Sequence, residues 1–420
     1  MAKETKVKNR WLIALAGIAV HLSIGSAYAW SIYTKPIAQQ TGWEEAPISF
    51  AFSIAIFCLG ISAAFMGKFV EKFGPRKTGT VASILFGSGI ALTGLAVSME
   101  SLPLLYISYG IIGGIGLGSG YVTPVSTMIR WFPDHRGLAT GMAIMGFGFA
   151  SLITGPIAQK LMGSVGISKT FFILGAAYFL VMFVASQYLE KPPVGWVPKG
   201  YEQTESDNEK AKPKIKEDFS QLTANEAIKT RRFWILWLML FINITCGIAL
   251  VSAASPMAQE VTGMTAAVAA TMVGIMGLFN GGGRLFWATL SDYIGRPNVF
   301  TTIFVIDILA LTALYFLKSP IIFVVLICII MTCYGAGFSV IPAYIGDVFG
   351  TKELGAIHGY ILTAWAVAGM VGPLLLSFIH ETTKTYSSTL IIFVILCFVA
   401  LFLSLLIRVD LKKLKEKSSQ

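Results

Sequence analysis

Twelve apolar runs recur near residues 11–33, 47–67, 79–98, 103–128, 138–160, 168–189, 233–257, 265–289, 299–317, 320–344, 354–379 and 386–407. Each is about as long as a helix must be to cross ~30 Å of hydrocarbon. That repetition predicts an all-α integral membrane protein, because a spanning helix satisfies its backbone hydrogen bonds internally where water is absent. The charge count agrees. Only 13% of the 420 residues are charged, against roughly a quarter in a soluble domain. A bilayer removes the need for a polar outer surface.

The five cysteines, Cys58, Cys246, Cys328, Cys333 and Cys397, all fall inside apolar runs. They show no metal-ligand spacing, so they read as small packing residues and no metal site is expected. The basic start, Lys3 to Arg10, followed by Trp11 to Tyr33, resembles a secretory signal. Its apolar stretch is too long for one, so it reads as a retained first helix.

Residues 190–231 carry Pro192, Pro193, Gly195 and Pro198 and a Lys/Glu/Ser mixture. Such a segment cannot bury itself and reads as a mobile linker. It divides the chain into an N-terminal six-helix bundle, 1–189, and a C-terminal six-helix bundle with its tail, 232–420. Of the 32 Lys and Arg, 26 fall on the side of the two termini. The opposite side holds Lys35, Lys160, Lys169, Lys318 and Lys384, and Arg284 falls inside a span. The bias predicts a multi-pass protein of the cell (inner) membrane, acting as a monomer, with both termini cytoplasmic. Nucleic-acid binding would need a basic, folded, water-facing surface, which the pattern does not provide.

A parallel repeat is readable as well. Gly67-Lys-Phe-Val-Glu71-Lys-Phe-Gly74 ends the second run and Ala288-Thr-Leu-Ser-Asp292-Tyr-Ile-Gly295 ends the eighth. Gly155-Pro156 in the fifth is answered by Gly372-Pro373 in the eleventh. Two related halves place a binding site between them, near the midplane. A carboxylate at a helix end, as at Glu71 and Asp292, pairs with basic residues or with the N-terminus of a neighbouring helix. Such pairs hold one conformation and break in another. The alternative is plain positive-inside anchoring by Lys68, Lys72, Arg76 and Lys77.

Gly67 to Lys77 resembles the loop motif of the major facilitator superfamily, with Glu71 where the usual residue is Asp. Arg130-Trp-Phe-Pro-Asp134-His-Arg136-Gly-Leu-Ala and Asn280-Gly-Gly-Gly-Arg284-Leu-Phe-Trp resemble the oxalate/formate antiporter family and its bacterial monocarboxylate-transporter relatives. The likeness runs along nearly all of the chain. It implies two six-helix pseudo-repeats rocking about a central site, a carboxylate substrate and no enzyme activity. Glu71, Arg76, Arg130, Arg136 and Asp292 would form the conformational latch.

Counting helical rise from one end, Arg284 lies roughly 12 Å deep, and Tyr121 and Phe338 about 13 Å deep. Phe147 and Trp365 come out at about 15 Å. An arginine at that depth is costly and is tolerated facing a polar cavity or a partner. Its planar paired donors match a carboxylate; a permanent ion pair with Asp307 is the structural alternative. Composition alone makes the aromatics packing residues. The resemblance gives Tyr121 and Tyr334 hydrogen-bonding roles, makes Phe147, Phe338 and Trp365 walls, and adds Tyr28 as a matching aromatic, with Asn280 beside the arginine. For Tyr28 and Trp30, nearer the outer end, an interfacial belt is the alternative. Gly281, Gly282 and Gly283 would let another helix approach.

Oxalate carriers place a lysine where this chain has Trp365, and one deep cation suits a monoanion. Animal monocarboxylate transporters have an Asp where Asn280 stands, so that proton site is absent. His21 and Asp307 are the titratable candidates for proton coupling. Asn243 would bond either substrate or another helix. Gly113 to Gly120 mimics a dinucleotide fingerprint, but no strand precedes it. Gly110, Gly114 and Gly118 read instead as a packing face, and no cofactor is expected. The expectation is therefore a proton-coupled secondary transporter of short monocarboxylates. Anion exchange is the runner-up, and a carboxylate-sensing membrane protein is the alternative from another class.

Overall fold

The computed structural model describes residues 7–193, 195–198 and 220–418. The first six long helices are α1 (Arg10–Ala29), α2 (Glu45–Phe73), α3 (Pro75–Ser98), α4 (Leu102–Trp131), α5 (Arg136–Val165) and α6 (Ile167–Tyr188). Six more follow: α7 (Arg231–Thr262), α8 (Ala266–Ile294), α9 (Arg296–Phe316), α10 (Pro320–Phe349), α11 (Leu354–Thr383) and α12 (Tyr386–Ser418). Eleven of them are long and apolar enough to cross a membrane. The twelfth, α8, is 29 residues long and packs between α5 and α10. No strand occurs among the described residues. Large apolar side chains such as Phe65, Val184, Phe316 and Ile321 stand exposed on the perimeter, as lipid contact requires.

The repeat read from sequence is a repeat of local geometry. Gly74 ends α2 at φ 84° and Gly295 ends α8 at φ 87°, a region that glycine enters without a Cβ penalty. A proline follows each within two residues, Pro75 and Pro297, at helix starts that need no amide donor. Within the first half, Gly110, Gly114 and Gly118 of α4 lie directly against Ile54, Ala55 and Leu59 of α2. The predicted packing face is thus a real one, and close backbone approach is what small residues permit.

Two seams join the halves, α2 against α11 and α5 against α8. Both are tight on the face that carries the described chain ends together with Arg10, Arg130, Arg136 and Arg296, hereafter the basic face. A Cβ at Gly67 would overlap the Gly355 carbonyl, and one at Gly359 the Ala63 carbonyl. On the other seam a Cβ at Gly137 would overlap the Ala288 carbonyl, and one at Gly148 would lie 2.7 Å from the Gly281 Cα. Further along, Gly155 and Gly163 on α5 and Gly274 and Gly277 on α8 have no neighbour within 4 Å of an added Cβ. The α5–α8 seam is therefore sealed at the basic face and diverges toward the other.

Much of the expected mobile linker, 199–219, lies outside the described residues. Its two ends are fixed. Trp131 donates to the Glu190 carbonyl at 2.7 Å and its ring meets Trp196 at 4.8 Å. At the other end Ser220 donates to the Val348 carbonyl at 2.7 Å and Leu222 to that of Phe349 at 2.9 Å. Thr223 and Glu226 then form a reciprocal cap on the short helix Ala224–Ala227, which satisfies two otherwise unmet amides. Free mobility does not extend to these ends, because backbone bonds and a tryptophan pair hold them.

Candidate functional site

Three helix breaks set the geometry at the centre. The α-helical part of α1 ends at Ile24 and a 3₁₀ turn, Gly25–Ala29, carries Tyr28. A Cβ at Gly25 would overlap the Phe147 carbonyl, so glycine lets this turn touch α5. α11 breaks after Ile361, and Trp365 follows in the next helical segment. α4 passes through a wide π-type stretch, Tyr106–Gly113, before presenting Tyr121.

These elements close an aromatic box. Tyr28 meets Phe147 at 4.9 Å between ring centroids, and Tyr121 meets Phe147 at 5.6 Å and Trp365 at 5.3 Å. Phe338 meets Trp365 at 4.7 Å and Tyr334 at 5.3 Å. The guanidinium of Arg284 lies 4.9 Å from the Phe338 ring centroid and 5.7 Å from that of Phe147. Every member except Tyr28 is at least 97% buried. Tyr28, Tyr121 and Tyr334 all lie within electrostatic range of Arg284.

Arg284 is fully buried and only partly satisfied. Its Nε donates to Asn280 Oδ1 at 3.2 Å, one turn earlier on α8, and its Nη1 to the Ile144 carbonyl of α5 at 3.3 Å. Nη2 meets no acceptor in strict hydrogen-bond geometry among the described residues, and neither Tyr121 Oη nor Trp365 Nε1 has a partner there; Tyr28 Oη lies in looser hydrogen-bonding reach of the Arg284 guanidinium and of Tyr334. Three donor groups, Arg284 Nη2, Tyr121 Oη and Trp365 Nε1, thus lie in or around one box without an acceptor. Leaving a buried polar group unmet costs about 1–3 kcal/mol, more for a charged one. A bound acceptor would recover that cost at all three at once. Close helix approach brings Arg284 here: a Cβ at Gly283 would lie 2.5 Å from Thr332 Cα, and one at Gly335 3.1 Å from Arg284 Cγ.

A second cluster seals the basic face. Glu71 accepts from the Gly355 amide at 2.9 Å, from Arg130 Nη2 at 2.8 and 2.9 Å, and from Lys191 Nζ at 3.0 Å. Asp292 accepts from the Gly137 and Leu138 amides, each at 2.9 Å, and pairs with Arg296 at 2.7 Å. Arg136 crosses between halves to Asp347 at 3.2 Å, and Asp347 also meets Arg296 at 3.3 Å. Helix N-termini carry unmet amides and a partial positive charge, which is why a carboxylate settles there.

Several expectations are redrawn by these contacts. Arg76 stays outside the cross-half cluster and donates to Gln187 at 2.8 Å, because α3 turns it toward α6. Asp307 does not pair with Arg284; it is buried on α9, where it interacts with the Cys333 thiol. Asn243 donates to the Cys333 carbonyl at 3.1 Å, tying α7 to α10. Trp30 bonds the Ile48 carbonyl at 3.2 Å and stacks on Tyr109, so it packs the first half, whereas Tyr28 enters the box. Gly281 and Gly283 admit neighbours, while Gly282 faces open space. His21 bonds the Tyr121 carbonyl at 3.2 Å and meets its ring at 5.1 Å. His358 and Asp347 escaped sequence reasoning as site residues. The available signal was a histidine four residues inside an apolar run.

A wholly helical molecule, with twelve long helices in two repeated halves and a buried polar centre on the seam, is the architecture of a membrane transporter. The family description "Major Facilitator Superfamily" matches residues 14–332 and 236–420, and the chain belongs to that superfamily. An uncharacterized MFS-type transporter, YhjX of Escherichia coli K12, is 27% identical over 372 residues, 88% of each chain. The oxalate:formate antiporter of Oxalobacter formigenes is 28% identical over 369 residues, 87% of this chain and 83% of that one. Among solved structures, the E. coli fucose:proton symporter FucP superposes with a TM-score of 0.71 at 14% identity, covering 94% of this chain and 98% of that one. Such relatives are transporters, and the chain is a transporter of this class, not an enzyme.

Proposed function

We propose that the chain is a secondary active transporter of short-chain monocarboxylates, lactate- or pyruvate-like, coupled to protons and working by alternating access. The observation that carries this reading is the set of acceptor-less donors, Arg284 Nη2, Tyr121 Oη and Trp365 Nε1, in an otherwise apolar box, with the Tyr28 hydroxyl beside the guanidinium. A carboxylate supplies acceptors, and hydrogen bonds to a charged group are each worth about 1.5–3 kcal/mol. Phe147, Phe338 and the Trp365 face enclose a short apolar body. One cation matches one negative charge, and Asn280 orients its guanidinium. Tyr334 completes the wall.

Charge bias supports a cell-membrane protein with both termini cytoplasmic, so that the basic face is the cytoplasmic one. Under this reading, bundles 1–189 and 232–420 rock about the site as a monomer, joined by 190–231. Glu71, Asp292, Arg130 and Arg136 hold the cytoplasmic side shut and part when that side opens.

The test is uptake of labelled lactate, pyruvate, formate and oxalate into proteoliposomes, with and without a pH gradient. Saturable uptake of a short monocarboxylate by the wild type and its loss in Arg284→Ala are expected. Saturable carboxylate uptake persisting in Arg284→Ala would sink the reading. The 28% identity to an oxalate:formate antiporter favours anion exchange as the second reading. Exchange predicts uptake accelerated by internal anion, with dianions competing strongly.

A further inference from the structure

We propose that His358 is the residue that carries the coupled proton. This rests on the transport reading above and names the group behind its coupling. His358 lies on the first segment of α11, Leu354–Ile361, only 1% exposed, and neither ring nitrogen has a hydrogen-bond partner among the described residues. A neutral imidazole has one donor and one acceptor nitrogen, and burying both unmet is costly. His21, by contrast, has one ring nitrogen bonded, to the Tyr121 carbonyl at 3.2 Å.

Position gives the imidazole access to both compartments in turn. Its ring lies 6.0 Å from that of Tyr121, which is 5.3 Å from Trp365 in the aromatic box. Tyr121, whose hydroxyl has no partner among the described residues, is in ring contact with both His358 and Trp365 and so links the imidazole to the carboxylate site. On the other side, α2 lies directly on this segment, with Gly359 against Ala63 and Gly355 against Gly67. Parting α2 from α11, which opening of the basic face requires, uncovers His358 to water there. The imidazole takes one proton at its unprotonated nitrogen, passes from neutral to +1, and returns that proton to water on the other side.

Ionisable groups on the surrounding elements leave this role open. Lys68 of α2 lies over the Tyr360 ring at 5.1 Å, and Glu71 of α2 is paired with Arg130 of α4 at 2.8 Å. Asp347 of α10 is paired with Arg136 and Arg296. On α7, Arg232 faces the Phe349 ring, and Glu226 of the short helix Ala224–Ala227 is taken up by its Thr223 cap. Glu353, at the start of the segment itself, accepts from the Ala224 amide at 2.8 Å. Tyr121 of α4 is in ring contact, and His21 of α1 is the ionisable neighbour whose charge His358 feels. No carboxylate among them binds the imidazole, so its proton is free to be exchanged.

The experiment uses the full chain in proteoliposomes loaded with a pH-sensitive dye, with labelled lactate and pyruvate as probes. Two quantities are read: counterflow under equal pH, and accumulation driven by a proton gradient with its dye signal. In wild type, uptake acidifies the lumen. In His358→Gln the ratio of proton-driven accumulation to counterflow falls at least tenfold and the dye signal disappears; His358→Asn serves if the glutamine variant does not fold. A dye signal that survives the substitution overturns the role of His358. Wild-type uptake without proton movement overturns it too, yet leaves the carboxylate reading standing. No counterflow of either acid by the wild type removes both.

Discussion

The carboxylate of Glu71, at the end of α2, accepts a 2.9 Å hydrogen bond from the backbone amide of Gly355, at the start of α11 in the other half. Asp292 does the same at the end of α8, accepting from Gly137 and Leu138 at the start of α5. Each half thus ends a helix with an acid that caps a helix of its partner. The two acids sit at equivalent places of the repeat, and under the proposed alternating access both caps break when the basic face opens.

Removing either cap shifts the balance toward the state open at the basic face. A helix cap is worth about 0.5–2 kcal/mol, so Glu71→Ala or Asp292→Ala should raise that state's population by roughly 2- to 30-fold. Ser126 lies 3.4 Å from a Cβ built at Gly355, beneath the seal. Maleimide labelling of a Ser126→Cys probe should accelerate by the same factor in each alanine variant. Unchanged labelling in both would show that the caps do not hold the seam.

A second cation should recruit dianions. Trp365 stands beside Tyr121 and Phe338 within the box, so Trp365→Lys adds a positive charge near Arg284. Opposite charges a few ångströms apart attract by about 4 kcal/mol at an intermediate dielectric, before desolvation of the new ammonium is subtracted. Oxalate should compete against monocarboxylate uptake at least tenfold better than it does in wild type. Competition assays that show no gain would count against a carboxylate at this position.

The tyrosine hydroxyls separate binding from folding. Tyr121 Oη has no partner among the described residues, and Tyr28 Oη has only loose contact with Arg284 and Tyr334, so Tyr28→Phe and Tyr121→Phe remove a hydroxyl that contributes little to folding. Affinity should weaken by about 1.5–3 kcal/mol each, roughly 12- to 160-fold in Kd. Thermal unfolding should stay level or rise. Isothermal titration and a melting curve on the same samples read the two effects; a large drop in Tm with unchanged affinity would reverse the assignment.

Two glycines make a packing control. A Cβ at Gly337 would overlap Asn243 Oδ1, whereas one at Gly282 meets nothing within 4 Å. Gly337→Ala should cost about 1–3 kcal/mol through overpacking and lower the melting temperature in detergent. Gly282→Ala should be neutral or stabilising by up to ~1 kcal/mol, since alanine is the better helix former. Equal melting temperatures for the two variants would contradict the α7–α10 contact.

Several features were legible in the sequence because they depend on distances along the chain. Run length gives the helices, and the glycine-ended turns after Glu71 and Asp292 give the repeat. Helical rise gives the common depth of Arg284, Tyr121, Phe147, Phe338 and Trp365. An acid at a helix end pointed to pairing with a basic residue or with a neighbouring helix start, without saying which. These properties belong to one helix at a time, and a bilayer fixes the frame in which each helix is read.

Tertiary structure decided what rotation about each helix and contact across the seam decide. It turned Arg76 toward Gln187 and Arg136 toward Asp347, though both were expected in one latch. It sent Trp30 into packing and Tyr28, two residues away, into the box, because a 3₁₀ turn intervenes. It set Asp307 against Cys333 and left the nitrogens of His358 without a partner. A one-dimensional sequence records depth along a helix but not which neighbour faces a given side. The sequence therefore determined a two-fold helical transporter with one deep cation, and the packing of its halves decided which donors surround that cation unmet.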